Sequence, residues 1–579
     1  MHLECQRSSD PLITGETLRN IRINMKAKKI DLYILGFIIL NIVQAILTPV
    51  LEDEAYYWMF SKNLDFGYFD HPPMVAFIIK LSSYLFSGTL GIRFVTVLLL
   101  ALTIKISWTL IPSKYKANHY AELIFMGIIF SIPIFNIYGF ITTPDVPLLF
   151  FSSLFLLTLK NLLKKDSFFN ILFFGVSAAL LIYSKYHGVI VILLGVLFKL
   201  ELLKKRSTYV AGAVALLCIF PHFYWQYQND FITFNFHLFQ RTSGEFNFEN
   251  VLHYLSSTFG ILNPALILLF FIYLKKKSTF RQENKFLIRM FLGFLIFFFF
   301  YSFRSRIEAH WVAFSAIPFA ILLYKLSISD DKIKKQIKYI GIITILLISS
   351  ARILIILDIP LKSEFHTKKK NYFQAISALA DGRKVVFVNS YQKASKYHFY
   401  MGEESFSDND VYYRKNQYDI LNYEDNFHNN DVLFISNWPS KYYDTLNLKS
   451  DGLIFYKKID NYPIFNKLQA KINHDDFNIL KNKGEIDVTI YNPYNYDIDL
   501  QQKKLPYEIK FCLTKGDDMF YVPLKIDKVK RLQSKMEHKI TAQWDSINRL
   551  PGEYELRIIM NAGYLYPKVL SKKYHITLE

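Results

Sequence analysis

Glu52, Asp53 and Glu54 follow directly on an apolar run, and Asp70 and His71 come shortly after, ahead of Pro72 and Pro73. Crowded, poorly hydrated carboxylates hold protons more readily than free ones. A carboxylate in that setting suits a general base that removes a hydroxyl proton during attack. The same residues also make an ordinary helix start, with Asp as an N-cap and Glu in the first turn.

Other residue types with chemical potential sit in short polar breaks between apolar runs. Asp145 lies between Pro144 and Pro147. It reads either as the N-cap of a Pro-led helix or as a site carboxylate, with metal ligation as one role. Lys185 and His187 occupy a tight turn, where a lysine either snorkels to headgroups or binds a phosphate. Arg304, Arg306 and His310 close another break beside Trp311. Planar guanidinium groups match phosphate oxygens, and an interfacial belt is the structural alternative. His237 and Arg241 stand at i, i+4 spacing, so both face one way on a helix, whether toward a ligand or toward solvent.

The elements that must position these groups are membrane spans. Apolar residues make up 52% of the 579-residue chain and cluster in long runs before residue 360, too many for one soluble core to bury. Runs near 31–50, 91–112, 121–141, 147–163, 168–184, 188–203, 208–225, 252–274, 286–303, 308–327 and 338–357 predict about eleven spans. The net charge of +19 does not imply nucleic acid, because the Lys and Arg excess lies in short loops. Lys26, Lys28 and Lys29 place the N-terminus in the cytoplasm, and every second loop after it carries a basic cluster. The opposite loops, 51–90, 142–146, 185–187, 226–251 and 304–307, hold the acidic, His and Pro residues. Alternation therefore puts all the candidate chemistry, and everything after 358, on the outer side. Within 51–90 two amphipathic helices are expected at the interface. The first apolar run follows a polar stretch and has no small-residue cleavage site after it, so it reads as a retained span. The three cysteines, Cys5, Cys218 and Cys512, are placed too unlike one another for a disulfide framework.

After residue 360 strand-like runs alternate with polar helical stretches, which predicts a small α/β domain over 361–465. Closely spaced short strands with Asn, Gly and Pro turns predict a β-sandwich over 466–579. Residues 1–360 form the membrane domain. No Gly-rich phosphate loop follows a strand, so no nucleotide cofactor is expected.

DEAYYW followed by GYFDHPP resembles the first outer loop of bacterial polyprenyl-phosphate-dependent glycosyltransferases. These are related to dolichyl-phosphate-mannose protein mannosyltransferases and to the lipid A aminoarabinose transferase. TTPDVPLLFF, SKYHG and EAHWVAFSAIPF continue the resemblance in family order through the membrane part. It implies a C-type glycosyltransferase fold: a helical multi-span bundle with its site near the outer surface of a bacterial inner membrane. By that likeness Asp53 is the catalytic base position and Glu54 its acidic neighbour. Asp70, His71, Lys185, Arg241, Arg304, Arg306 and His310 would serve the donor phosphate, and Asp145 a metal. His71 stands where aminoarabinose transferases have Lys, a departure that weighs against that sugar. The expected donor is a polyprenyl-phosphate sugar, and the acceptor an envelope glycan, lipid or protein hydroxyl. Direct displacement with inversion is the expected reaction, with a divalent cation as an optional aid. The rival from another class is a transporter or flippase of lipid-linked sugars, which would show internal repeats and broken helices with polar midplane residues.

Overall fold

In hydrocarbon a backbone has no water to bond, so long apolar runs become helices. The structure, a computed structural model, describes residues 15–240, 246–357, 359, 370–448, 452–473, 477–502, 504–516, 518–526, 529–545, 547 and 549–579. It divides into two compact units, Met1–Thr367 and Lys368–Glu579.

The first unit is helical. α1 (Gly15–Leu47) leads into α2 (Glu52–Lys62) and α3 (Met74–Leu85), the two helices expected within 51–90. α4 (Gly88–Leu110), α5 (Ala121–Ser131), α6 (Pro133–Ile137), α7 (Asp145–Lys164), α8 (Phe168–Ser184) and α9 (His187–Leu197) follow. Then come α10 (Arg206–Gln228), α11 (Ile232–Asn235), α12 (Phe248–Leu262), α13 (Pro264–Lys276), α14 (Ser278–Glu283), α15 (Lys285–Tyr301), α16 (Ala316–Ile328) and α17 (Asp331–Ile356). Six helices among the described residues are long and apolar enough to cross a membrane singly, and the bent pair α12–α13 makes up to seven. Ala309–Ile328, which includes α16, runs through the centre and is almost wholly buried. α10 and α17 bury little and expose apolar residues nearly all round, as lipid-facing helices do.

Two expected runs are broken. The run 121–141 is cut at Pro133, which lacks an N–H and drives Ile132 into an extended conformation. The run 252–274 bends by 92° between α12 and α13. There Asn263 takes φ +77°, the left-handed side, before Pro264. Its side-chain oxygen caps the N–H groups of Ala265 and Leu266 at 3.1 and 3.2 Å. Its amide nitrogen donates to the Ser131 carbonyl and the Thr344 hydroxyl, both at 2.9 Å. Both polar atoms of the Asn263 side chain are thereby satisfied within the bundle.

The second unit carries a five-stranded sheet and further, mainly antiparallel sheets. β1 (Lys384–Val388), β2 (Ser405–Asp408), β3 (Val432–Ser436), β4 (Asp444–Leu448) and β5 (Gly452–Ile459) run in the order β2-β1-β3-β5-β4. β1 pairs in parallel with both neighbours, which requires the crossover helix Tyr391–Met401 between β1 and β2. A six-stranded sheet is built around the pairing of Tyr507–Lys515 with Gly552–Ala562, and a four-stranded one around Gly484–Tyr491 with Glu537–Trp544. Their inner positions alternate with outer polar ones, the pattern of a sheet with one covered face. Asp408, at the end of β2, is buried and pairs with Lys568 at 2.6 Å. Tyr462 and Asn466 also donate to Asp408, at 2.7 and 2.9 Å. Breaking a buried pair leaves one charge uncompensated, so Lys568→Met destabilises this unit by about 3–5 kcal/mol. Amide hydrogen exchange in the full-length protein reads this as lost protection in β1–β3, and unchanged protection there removes the pair from that role.

Candidate active site

α2 starts where it does because its own side chain satisfies the entry: the Leu51 N–H donates to Glu54 Oε2 at 3.0 Å. Glu54 is fully buried, and its carboxylate also accepts Arg93 Nε at 2.8 Å, Arg93 Nη2 at 2.5 Å and the Thr142 N–H at 2.8 Å. The other N–H groups of Arg93 go to main-chain carbonyls. Nη1 reaches Ala45 and Thr48 at 2.9 and 2.8 Å, and Nη2 reaches Pro49 at 2.8 Å. All five donors of the guanidinium are engaged. This clamp fastens together the end of α1, the start of α2, α4 and the turn before α7. Glu54 therefore has no oxygen to offer a substrate, and its bonds fix the first turn of α2. Asp53, beside it, is exposed on the first turn of α2.

The turn that donates to Glu54 also carries Asp145. Thr142 is held by its hydroxyl to Thr96 at 2.8 Å and to the Ile92 carbonyl at 3.0 Å. Three residues on, Asp145 opens α7 and is buried. Its Oδ1 accepts the buried Lys185 ammonium at 2.7 Å, and its Oδ2 lies 4.0 Å from His310 Nε2. His71 is within Coulombic reach of the same carboxylate. The fold thus brings Asp145, Lys185, His310 and His71 together around one turn, and Glu54 is bonded to that turn's other end.

The loop between α2 and α3 is shaped by a polar network that the sequence did not reveal. Trp225 Nε1 donates to Asp65 Oδ2 at 2.8 Å, and Gly67 packs so closely on the Trp225 ring that a Cβ would overlap it at 2.3 Å. His222 Nδ1 lies 2.6 Å from the Phe66 carbonyl, an acceptor only, so the proton is on Nδ1. Nε2 then accepts from the Tyr186 hydroxyl at 3.0 Å. Burial pushes the Tyr186 phenol well above its ordinary value, which keeps it a neutral donor. Gln226 bridges Tyr186 to Thr233 at 3.1 and 2.8 Å, and Thr233 donates to the Tyr68 carbonyl at 3.0 Å. His237 Nε2 donates to the Asp70 carbonyl at 2.9 Å, and Tyr57 meets His71 at 3.2 Å. Asp70 itself is buried.

Arg304 and Arg306 are exposed beyond α15. His253 Nδ1 donates to the Ile307 carbonyl at 3.1 Å, which leaves Nε2 to accept from Arg306 at 3.2 Å. Arg306 also lies 3.5 Å from Glu308. Arg241 lies outside the described residues. The donors present do not fit a divalent cation at Asp145. Its Oδ1 is taken by Lys185, and no group of three or more His, Cys, Asp or Glu among the described residues could hold a metal ion.

The family described as dolichyl-phosphate-mannose-protein mannosyltransferase matches residues 70–225. Lipid A galacturonosyltransferase RgtD of Rhizobium johnstonii is 27% identical over 246 residues, which are 41% of this chain and 51% of that protein. The chain therefore spans about half the length of this curated relative. Among solved structures, apo ArnT from Cupriavidus metallidurans aligns with a TM-score of 0.53 at 11% identity, covering 74% of this chain and 98% of that one. ArnT bound to undecaprenyl phosphate aligns at 0.50 and 12% identity with the same coverage. At these identities the likeness is one of fold, and the resemblance read in the motifs is borne out. The chain is a multi-span membrane protein with a C-type glycosyltransferase fold.

Proposed function

We propose that the chain transfers a hexosyl or pentosyl group from a polyprenyl-phosphate donor to a hydroxyl acceptor at the outer face of a bacterial inner membrane. The observation that carries this reading is an exposed carboxylate, Asp53, mounted on a helix whose first turn is locked by Glu54 and Arg93. The same clamp borders a cluster containing Lys185 and His310. Asp53 removes the acceptor hydroxyl proton as the oxygen attacks the anomeric carbon, the bond to the phosphate oxygen breaks, and the configuration inverts. Lys185, Arg304 and Arg306 stabilise the charge that develops on the leaving phosphate. Undecaprenyl phosphate bound to ArnT and the lipid A acceptor in the name of RgtD support this donor and acceptor chemistry. The N-terminus is cytoplasmic and the second unit extracytoplasmic, following the basic loops.

A broken helix is what a flippase would show, and α12–α13 is one. The side chain at its break, Asn263, however, is taken up by Ser131, Thr344 and the N-terminus of α13, so it is not offered to a cargo. The test is transfer from a panel of radiolabelled polyprenyl-phosphate sugars to cell-envelope acceptors by the purified full-length protein. Labelled acceptor establishes the enzyme. Labelled lipid that only moves across vesicles, with no product, overturns the reading in favour of a flippase.

A further inference from the structure

Arg352 sits four residues before the end of α17, about 6 Å along the axis from it. It is 7% exposed and buried against α1. Its Nε donates to Gln44 Oε1 at 3.2 Å and its Nη2 to Asn41 Oδ1 at 2.8 Å, and the guanidinium lies 5.1 Å from the Phe140 ring centre. Both acceptors are neutral. Among the described residues no carboxylate pairs with it, and Nη1 has no hydrogen-bond partner. Arg93 is equally buried, yet it has Glu54 and a full set of acceptors.

A guanidinium held in a membrane bundle without an anion costs several kcal/mol, and such residues mark sites whose partner comes from outside the chain. The surroundings say what that partner is. On α1, Leu40, Val43 and Leu47 flank Gln44 and are exposed, and on α17 so are Leu346, Leu347 and Ile353. Ser349 and Ser350, one turn before Arg352, are exposed as well. The seam between α1 and α17 is therefore lined for acyl chains, with small hydroxyls and one uncompensated fork near the helix ends, at headgroup depth. We propose that this seam is a binding site for the phosphodiester of an anionic phospholipid, seated on Arg352. A phosphate oxygen supplies the charge-assisted partner that Asn41 and Gln44 do not. Nη1 is buried, so seating the phosphate requires the side chain to turn toward the seam. Gln44 also bonds Thr48, whose carbonyl holds Arg93, yet lipid binding at Arg352 involves no group of the sugar-transfer chemistry and is read without it.

The test uses the full-length protein in detergent, with phosphatidylglycerol or zwitterionic phosphatidylcholine added and bound lipid counted by native mass spectrometry. Wild type binds phosphatidylglycerol about tenfold more tightly, the worth of one charge-assisted hydrogen bond. Arg352→Gln brings the two lipids to within about twofold. Gln44→Ala keeps the charge, removes one neutral acceptor of the fork along with the Gln44 donors to Thr48 and to the Arg352 carbonyl, and retains the preference, so the proposal stays testable if Arg352→Gln does not fold. Equal binding of the two lipids by wild type, or an undiminished preference in Arg352→Gln, overturns it. Loss of the preference in Gln44→Ala also overturns it, because the fork would then be only a latch between helices.

Discussion

Asp53→Asn protein, embedded and folded as the wild type is, transfers sugar about 10²–10⁴-fold more slowly, the range that removal of a positioned general base produces. Asparagine keeps the shape and the hydrogen-bonding carbonyl but cannot accept the hydroxyl proton. In barrier terms the loss is about 3–5.5 kcal/mol. The position is exposed and stands outside the Glu54–Arg93 clamp, so folding stability changes by no more than about 0.5 kcal/mol. Initial rates at equal folded amount, with unfolding midpoints measured alongside, separate the two effects. Glu52→Gln is the control from the same turn: it leaves a carboxylate at Asp53 and keeps the rate within about threefold of wild type. A fall of less than tenfold in Asp53→Asn takes the base role away from that residue. An equal fall in Glu52→Gln assigns the effect to the charge of the turn as a whole.

Why Asp53 and its surroundings were legible, and Arg93 was not, comes down to how charge shows itself along a chain. Adjacent carboxylates at the end of an apolar run are expensive, so Glu52, Asp53 and Glu54 stand out at once. Asp145 and Lys185 also stand out singly, one as a carboxylate and one as a cation. Their pairing at 2.7 Å is hidden by the intervening helices α7 and α8, and it gives Asp145 a partner other than a metal. Arg93 lies close to the start of an expected span, where an arginine reads as interfacial. Only the fold turns it inward to α1 and α2. His222, Trp225 and Arg352 lie inside apolar runs and have the same history. The bend at Asn263 was written in the Asn-Pro pair, yet apolarity on both sides reads as one span. In the second unit the runs KVVFV, GLIFYK and GEYELRIIM became strands. β2, with the polar sequence SFSD, carries no such signal. It is buried all the same, because Asp408 finds Lys568 and Tyr462.

Arg93→Met destabilises the membrane unit by about 3–5 kcal/mol, since it leaves the Glu54 carboxylate buried with two main-chain donors and no counter-ion. The carbonyls of Ala45, Thr48 and Pro49 lose their donor in the same stroke. Adding Glu54→Gln removes the orphaned charge, so the double variant recovers part of the loss. The cycle of four proteins then yields a coupling of about 2–3 kcal/mol, read from unfolding midpoints in detergent. Arg93→Lys isolates the consequence for chemistry. A lysine keeps the charge and folds, but its three donors cannot hold Glu54 and three carbonyls at once. The start of α2 shifts and carries Asp53 with it. A displacement of about 1 Å at a reacting group costs about 10²-fold in rate. Transfer by folded Arg93→Lys therefore drops by that order while donor binding stays close to wild type, because Lys185, Arg304 and Arg306 are untouched. Wild-type transfer in Arg93→Lys would mean that α2 is held by its packing alone. Weakened donor binding would place the clamp on the phosphate side of the site instead of behind the base.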